Sequence, residues 1–301
     1  MISGTVAGEG GLKPCPPPDP DPGTPRVSVP ENACDCHVHV FDGERHPYSP
    51  ARGYTPPDAT VATLAALHRT LGIARAVLTQ ASVHGTDNRA VLEGAASDPS
   101  RFRAVVAVDG SVTDGELRRM HEAGARGIRV NLVDPGGMPF SGPDEIRDVA
   151  RRIAPLGWHV EFLVHVDEAV GFAALARSLP TDVVVGHLGY MPTARGLDDP
   201  GYRAFLGLVA EGRCWVKLTG PYRITGEERP PYRDVGTFAA ALAETRPDRL
   251  VWGLDWPHVM CRRPMPNDGD LLDALAGWVP DEETRHAILV ENPARLYGFA
   301  P

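Results

Sequence analysis

The stretch Ala33-Cys-Asp-Cys-His-Val-His-Val40 sets two imidazoles, His37 and His39, two residues apart in an apolar, β-prone run. In a strand, that spacing turns both rings to one face. Such a pair can ligate a metal, act as acid/base groups without one, or pack as two core histidines. Other polar residues recur in equivalent places. Gln80, Ser82 and His84, then Asp109, Arg129 with Asn131, His165, His187, Lys217 with Arg223, and Asp255 all stand at or just after short β-branched runs. A lone histidine in an apolar strand is more often a hydrogen-bonded core residue than a ligand. The recurrence points to chemistry: four histidines and an aspartate fall at the same end of different strands. Cys34 and Cys36 alternate with the two histidines, so they are expected on the opposite side, buried as small hydrophobes. His46, His68, His121 and His286 read as surface residues without a role.

The elements that must carry these residues follow a rhythm. Strands are expected at Ala33 to Val40, Ala74 to Gln80, Arg103 to Val108, Gly127 to Leu132, His159 to His165, Asp182 to His187, Cys214 to Leu218 and Arg249 to Leu254. Helical periodicity and caps lie between them, as in the run from Thr60 to Gly72, with Leu64, Leu67 and Leu71 on one face. Asp114 reads as the cap of a further helix. Eight strands alternating with helices predict a parallel sheet with right-handed crossovers, closed as a distorted (β/α)8 TIM barrel of the α/β class. A doubly wound open sheet is the alternative, but no G-x-G-x-x-G follows a strand. In a barrel, side chains at the C-terminal strand ends meet at one mouth.

The chain has 301 residues, 43% hydrophobic and 23% charged, which is ample for a large core. Its net charge of −9 supplies no basic surface for nucleic acid and argues against anionic membranes. No apolar run approaches the ~20 residues of a spanning helix, and no secretory signal pattern opens the sequence. Five scattered cysteines read as reduced thiols of a cytoplasmic protein. Residues 1–30 form a Pro/Gly-rich arm, and residues 31–301 the barrel domain. Self-association stays open.

The motifs DCHVHVF, QASVHGTDN, RGIRVNL, VVVGHLG, VKLTGPYR, WGLDWPH and ENPARLYGF, spread over residues 31 to 299, together resemble the amidohydrolase superfamily. Within it they are most similar to the branch of 2-pyrone-4,6-dicarboxylate lactonase and related lactone hydrolases. The resemblance implies a site at the C-terminal mouth of the barrel. Asp255 and His187 are then the catalytic candidates. Tyr54, Ser82, His84, Arg129, Arg223 and His258 are the candidate substrate contacts. His37, His39, His165 and Asp255 would hold one divalent metal, zinc or manganese; a metal-free site is the alternative. Two metals are not expected, because the fourth strand offers Arg129 and Asn131 and no bridging carboxylate or lysine. Lys217 is expected either to pair with a carboxylate or to touch substrate. Where that lactonase grips a second carboxylate, this chain has Pro135 and Leu163, and Met260 follows WPH in place of a polar residue. The dicarboxylate grip is therefore expected to be incomplete.

The activity implied is hydrolysis of an anionic small molecule, a carboxylate-bearing lactone or similar cyclic ester. Arginines suit such a substrate, since a guanidinium fork binds a carboxylate bidentately; their bland alternative is pairing with a protein acid such as Asp109 or Glu161. Two other functions are carried alongside: metal-dependent, non-oxidative decarboxylation of an aromatic or muconate-like acid, and a catalytically silent binding barrel. No G-x-S-x-G elbow supports a serine hydrolase.

Overall fold

The computed structural model describes residue 12, residues 14–134 and residues 140–300; Pro135 and the first residues of the arm lie outside that set. Eight parallel strands pair in chain order: β1 (Cys34–Val38), β2 (Arg75–Thr79), β3 (Phe102–Val106), β4 (Ala125–Asn131), β5 (His159–Leu163), β6 (Val183–Val185), β7 (Cys214–Leu218) and β8 (Leu250–Trp252). Their side chains are buried on both faces, which is why they read as near-continuous β-branched runs. The seam between β8 and β1 is closed just beyond the regular pairing. There the Asp255 amide donates to the His37 carbonyl at 2.8 Å, and the His39 amide to the Trp256 carbonyl at 2.8 Å. The result is a distorted (β/α)8 barrel whose closure is made by residues of the candidate site itself.

Helices pack outside the strands: α1 (Val61–Leu71), α2 (Arg89–Ser97), α3 (Asp114–Glu122), α4 (Pro143–Ile153), α5 (Phe172–Ser178), α6 (Pro200–Ala210), α7 (Arg233–Thr245), α8 (Asp268–Trp278), α9 (Glu282–His286) and α10 (Asn292–Tyr297). Thr60 caps α1, and Gly72, at φ 74°, ends it in the left-handed conformation open to glycine. Thr113, not Asp114, caps α3: its hydroxyl accepts from the Glu116 amide while Glu116 reaches back to the Thr113 amide.

Strict alternation along β1 fails. Its register shifts between Asp35 and Val38. Cys34 and Cys36 therefore pack with Val77, Val105, Val184 and Val251 inside the barrel, not across the strand from His37. Asp35 turns outward instead and meets His68 of α1, Oδ2 to Nε2, at 3.2 Å. His68 is fully buried and His46 nearly so; neither is a surface residue.

The barrel floor is sealed by the end of the chain. Tyr297 and Phe299 join the interior cluster. Arg103 donates to the carbonyls of Tyr297 and Gly298, Arg75 donates to that of Ala300, and the Arg103 guanidinium stands 4.5 Å from the Phe299 ring centroid. At the other end, the arm runs along the mouth and α8. The Cys15 amide bonds the Thr55 carbonyl, Gly23 meets Asn267, and Arg26 pairs with Asp273.

Candidate active site

The C-terminal strand ends surround a cavity of about 610 Å³ lined by, among others, His39, Tyr54, Ser82, Arg129, His165, His187 and Arg223. Asp255, just past β8, is fully buried behind two of the lining residues, His39 and Arg223. Its two oxygens have different surroundings. Oδ2 accepts from the Tyr222 hydroxyl at 2.6 Å and the Arg223 Nε at 2.7 Å. Oδ1 faces His37 Nε2 at 3.6 Å and His39 Nε2 at 3.5 Å. Burial alone would raise the Asp255 pKa, but Arg223 and the neighbouring histidines hold it well below the usual carboxylate range. The group is an anion at neutral pH.

His37, His39 and His187, by contrast, are neutral. Burial pushes His187 down to about 3 and lowers His39. Burial, reinforced by Lys217, also lowers His37. His39 is fixed by Nδ1 against the Thr79 carbonyl at 2.8 Å, and His187 by Nδ1 against the Thr219 hydroxyl at 3.0 Å. Several of these residues sit at positive φ, an unfavourable conformation for non-glycine residues: His187 at 51°, Asp255 at 66° and His258 at 60°. Each such residue costs about 1–3 kcal/mol and persists where its surroundings over-determine it. At Asp255 the seam hydrogen bond to the His37 carbonyl does so, and the His258 amide donates in turn to the Asp255 carbonyl at 2.8 Å. Gly220 lets the wall approach: a Cβ on it would lie 2.7 Å from His187 Nδ1 and 3.0 Å from Asp255 Oδ2.

His37, His187 and Asp255 bring ligand atoms within 4.8 Å of one another, a group that could hold a metal ion. His37 Nε2 and Asp255 Oδ1 are both buried without a hydrogen-bond partner among the described residues. Two orphaned atoms of this kind, beside two more neutral imidazoles, fit one divalent cation.

The other sequence candidates divide. Tyr54, Ser82, Arg129 and Arg223 line the cavity. Arg129 donates to the Gln80 carbonyl at 2.8 Å and has no carboxylate partner among the described residues, so the expected alternative of pairing with Asp109 or Glu161 is not what it does. Arg223 does pair with an acid, and that acid is Asp255. His165 lines the cavity wall, but it is His187 that joins His37 and Asp255. β5 stops at Leu163, and two residues later the His165 Nδ1 is bound to the Tyr190 carbonyl at 2.7 Å. His84 is not among the lining residues; it stacks on Phe41 and leans on Tyr48 behind the wall. His258 is fully buried between Asp268, at 3.0 Å, and the Tyr222 hydroxyl, at 3.3 Å. It orients Tyr222 and does not face the cavity. Lys217 pairs with Glu161 at 2.6 Å. Sequence reasoning missed Tyr222 and the lining Tyr190, Arg262 and Arg263. Tyr222 could have been found from its place beside Arg223 in one short turn.

A family model described as Amidohydrolase matches residues 34–299. The chain is 40% identical over 287 residues to a 2-pyrone-4,6-dicarbaxylate hydrolase of Comamonas testosteroni, covering 92% of this chain and 93% of that one. It is 35% identical over 295 residues to a 4-sulfomuconolactone hydrolase of Rhizobium radiobacter, covering 97% and 98%. A crystal structure of an Agrobacterium tumefaciens protein superposes with a TM-score of 0.81 at 29% identity, covering 92% of this chain and all of that one.

Proposed function

The chain belongs to the amidohydrolase family, and from that premise we propose that it opens a carboxylate-bearing lactone, or a similar cyclic ester, by attack of water at the barrel mouth. The observation that carries this reading is the split environment of Asp255. One oxygen is held by Tyr222 and Arg223, while the other faces His37 and His39 without a hydrogen-bond partner among the described residues. Oδ1 is the atom placed to accept a proton from an attacking water, and the same carboxyl then returns it to the leaving alkoxide. Tyr222 and Arg223 stabilise the anion and fix its orientation. The low basicity that results means the proton is held only briefly before transfer to the alkoxide.

In a cation-free site, His187, neutral and anchored by Thr219, would polarise the ring carbonyl through its other nitrogen, an atom that becomes a ligand when a cation is held; a positioned donor of this kind contributes about 3 kcal/mol to an oxyanion. Arg129, with no acid of its own among the described residues, suits the substrate carboxylate, and Ser82 and Tyr54 lie on the same cavity wall. His37, His187 and Asp255, with His39 adjacent, are the residues that would hold zinc or manganese. A bound divalent ion lowers the pKa of water to about 7.

The test is a panel of carboxylated lactones assayed by base consumption, before and after chelation, with elemental analysis of the purified protein. Ring opening with release of one acid equivalent is expected. Evolution of carbon dioxide without acid release would refute hydrolysis and select decarboxylation. Tight binding without turnover would select the silent barrel.

A further inference from the structure

Beneath His37 lies a charged pair that the proposed chemistry does not use. Lys217 of β7 and Glu161 of β5 are both buried in the barrel interior, with Nζ 2.6 Å from Oε2. Both also reach the same imidazole atom. Lys217 Nζ lies 3.2 Å from His37 Nδ1, in hydrogen-bonding geometry, and Glu161 Oε1 lies 3.4 Å from it. A buried ion pair is weak evidence for stability, because apolar residues of similar volume often serve as well or better. Its placement against one ring nitrogen suggests a different use.

An ammonium can only donate a hydrogen bond, and a carboxylate can only accept one. Neutral His37 carries one ring proton. When Lys217 donates to Nδ1, that proton must sit on Nε2. When Nδ1–H donates to Glu161, Nε2 keeps its lone pair. The first form points an N–H at the anionic Asp255 Oδ1, 3.6 Å away. The second points a lone pair at the same oxygen, which is unfavourable unless a cation lies between them.

We propose that Lys217 and Glu161 are a positioning pair that selects the tautomer of His37: Lys217 holds the Nε2–H form in the cation-free protein, and Glu161 takes Nδ1–H when a divalent cation occupies Nε2. The two residues therefore act on cation affinity in opposite senses. Lys217 opposes binding and Glu161 assists it, although they are neighbours in one ion pair. The inference concerns the proposed active site but does not depend on which ester is opened there.

Nitrogen-15 NMR of histidine-labelled, chelated protein, with His37 assigned by its loss in His37→Gln, tests the first half without altering the pair. A protonated Nε2 and unprotonated Nδ1 are expected; the reverse assignment overturns the proposal. Titration with zinc, read by calorimetry, tests the second half. Lys217→Met is expected to tighten zinc binding and Glu161→Gln to weaken it, each by about tenfold, a typical effect of a residue behind a ligand. Shifts of the same sign, or none, would mean that the pair is only structural support and would overturn the proposal. Should either single variant fail to fold, the wild-type spectrum still decides, since zinc must move the proton from Nε2 to Nδ1. Failure of the lactonase reading would appear separately, as absent ester turnover with these results intact.

Discussion

His159, at the start of β5, offers a direct test of how burial sets protonation in this barrel. Its ring is 2% exposed and lies 5.4 Å from that of Tyr297, and neither nitrogen has a hydrogen-bond partner among the described residues. Burial, reinforced by Lys217 and opposed by Glu161, pushes its pKa down to about 3. The unfolded chain should protonate this histidine near 6.5. The folded pKa is thus the lower one, and the unfolded state binds the extra proton. Stability from this residue is present above pH 6.5 and is lost as the pH falls from there toward 3. Between pH 7 and pH 5 the loss is about 2 kcal/mol, rising to about 5 kcal/mol once the folded form also protonates. His159→Leu removes the titration without breaking a hydrogen bond and nearly conserves volume. Urea unfolding followed by circular dichroism, with chelator present so that ion release does not contribute, should show the parent losing about 2 kcal/mol more than the variant between pH 7 and pH 5. Parallel stability curves for the two proteins would refute the reasoning.

Three further outcomes follow from the site. Asp255→Asn should lower kcat by about a hundredfold to ten-thousandfold with the fold intact by circular dichroism, since an amide cannot take the water proton. Arg129→Met should reduce kcat/KM by about tenfold to a hundredfold for a carboxylated lactone and far less for its uncharged ester, measured side by side, because a charge-assisted contact contributes about 1.5–3 kcal/mol. Gly220→Ala places a methyl against His187 and Asp255 at a φ of 57° and should reduce turnover at least about tenfold, while the melting temperature falls by only about 2–6 °C.

Much of this arrangement was legible because strand ends are marked in sequence by where β-branched runs stop. Cys214–Leu218 has the predicted bounds, and of the polar residues expected at one end of the strands, His39, Ser82, Arg129, Asn131, His165, His187 and Arg223 line one cavity. The misreadings came from places where periodicity breaks. A register shift in β1 turns Cys34 and Cys36 inward with His37, and no two-residue count can show that. β6 ends at Val185, so the backbone turn at His187, with φ at 51°, decides where that ring points; for His165 the decisive contact is a carbonyl 25 residues away. His84 and His258 share motifs with residues of the cavity wall, but adjacency in sequence says nothing of which side of the wall a ring takes. Glu161 was expected only as a possible partner for an arginine; its actual partners are Lys217, 56 positions later, and His37, 124 earlier.

The sealed floor has a consequence for how the molecule is assembled. Tyr297 and Phe299 follow all eight strands in the order of synthesis, and Arg75 and Arg103 both donate to carbonyls of that late segment, Arg103 also to those of Pro99 and Phe102. Closure of the floor must therefore wait until the segment around Tyr297 and Phe299 has been synthesised and can dock.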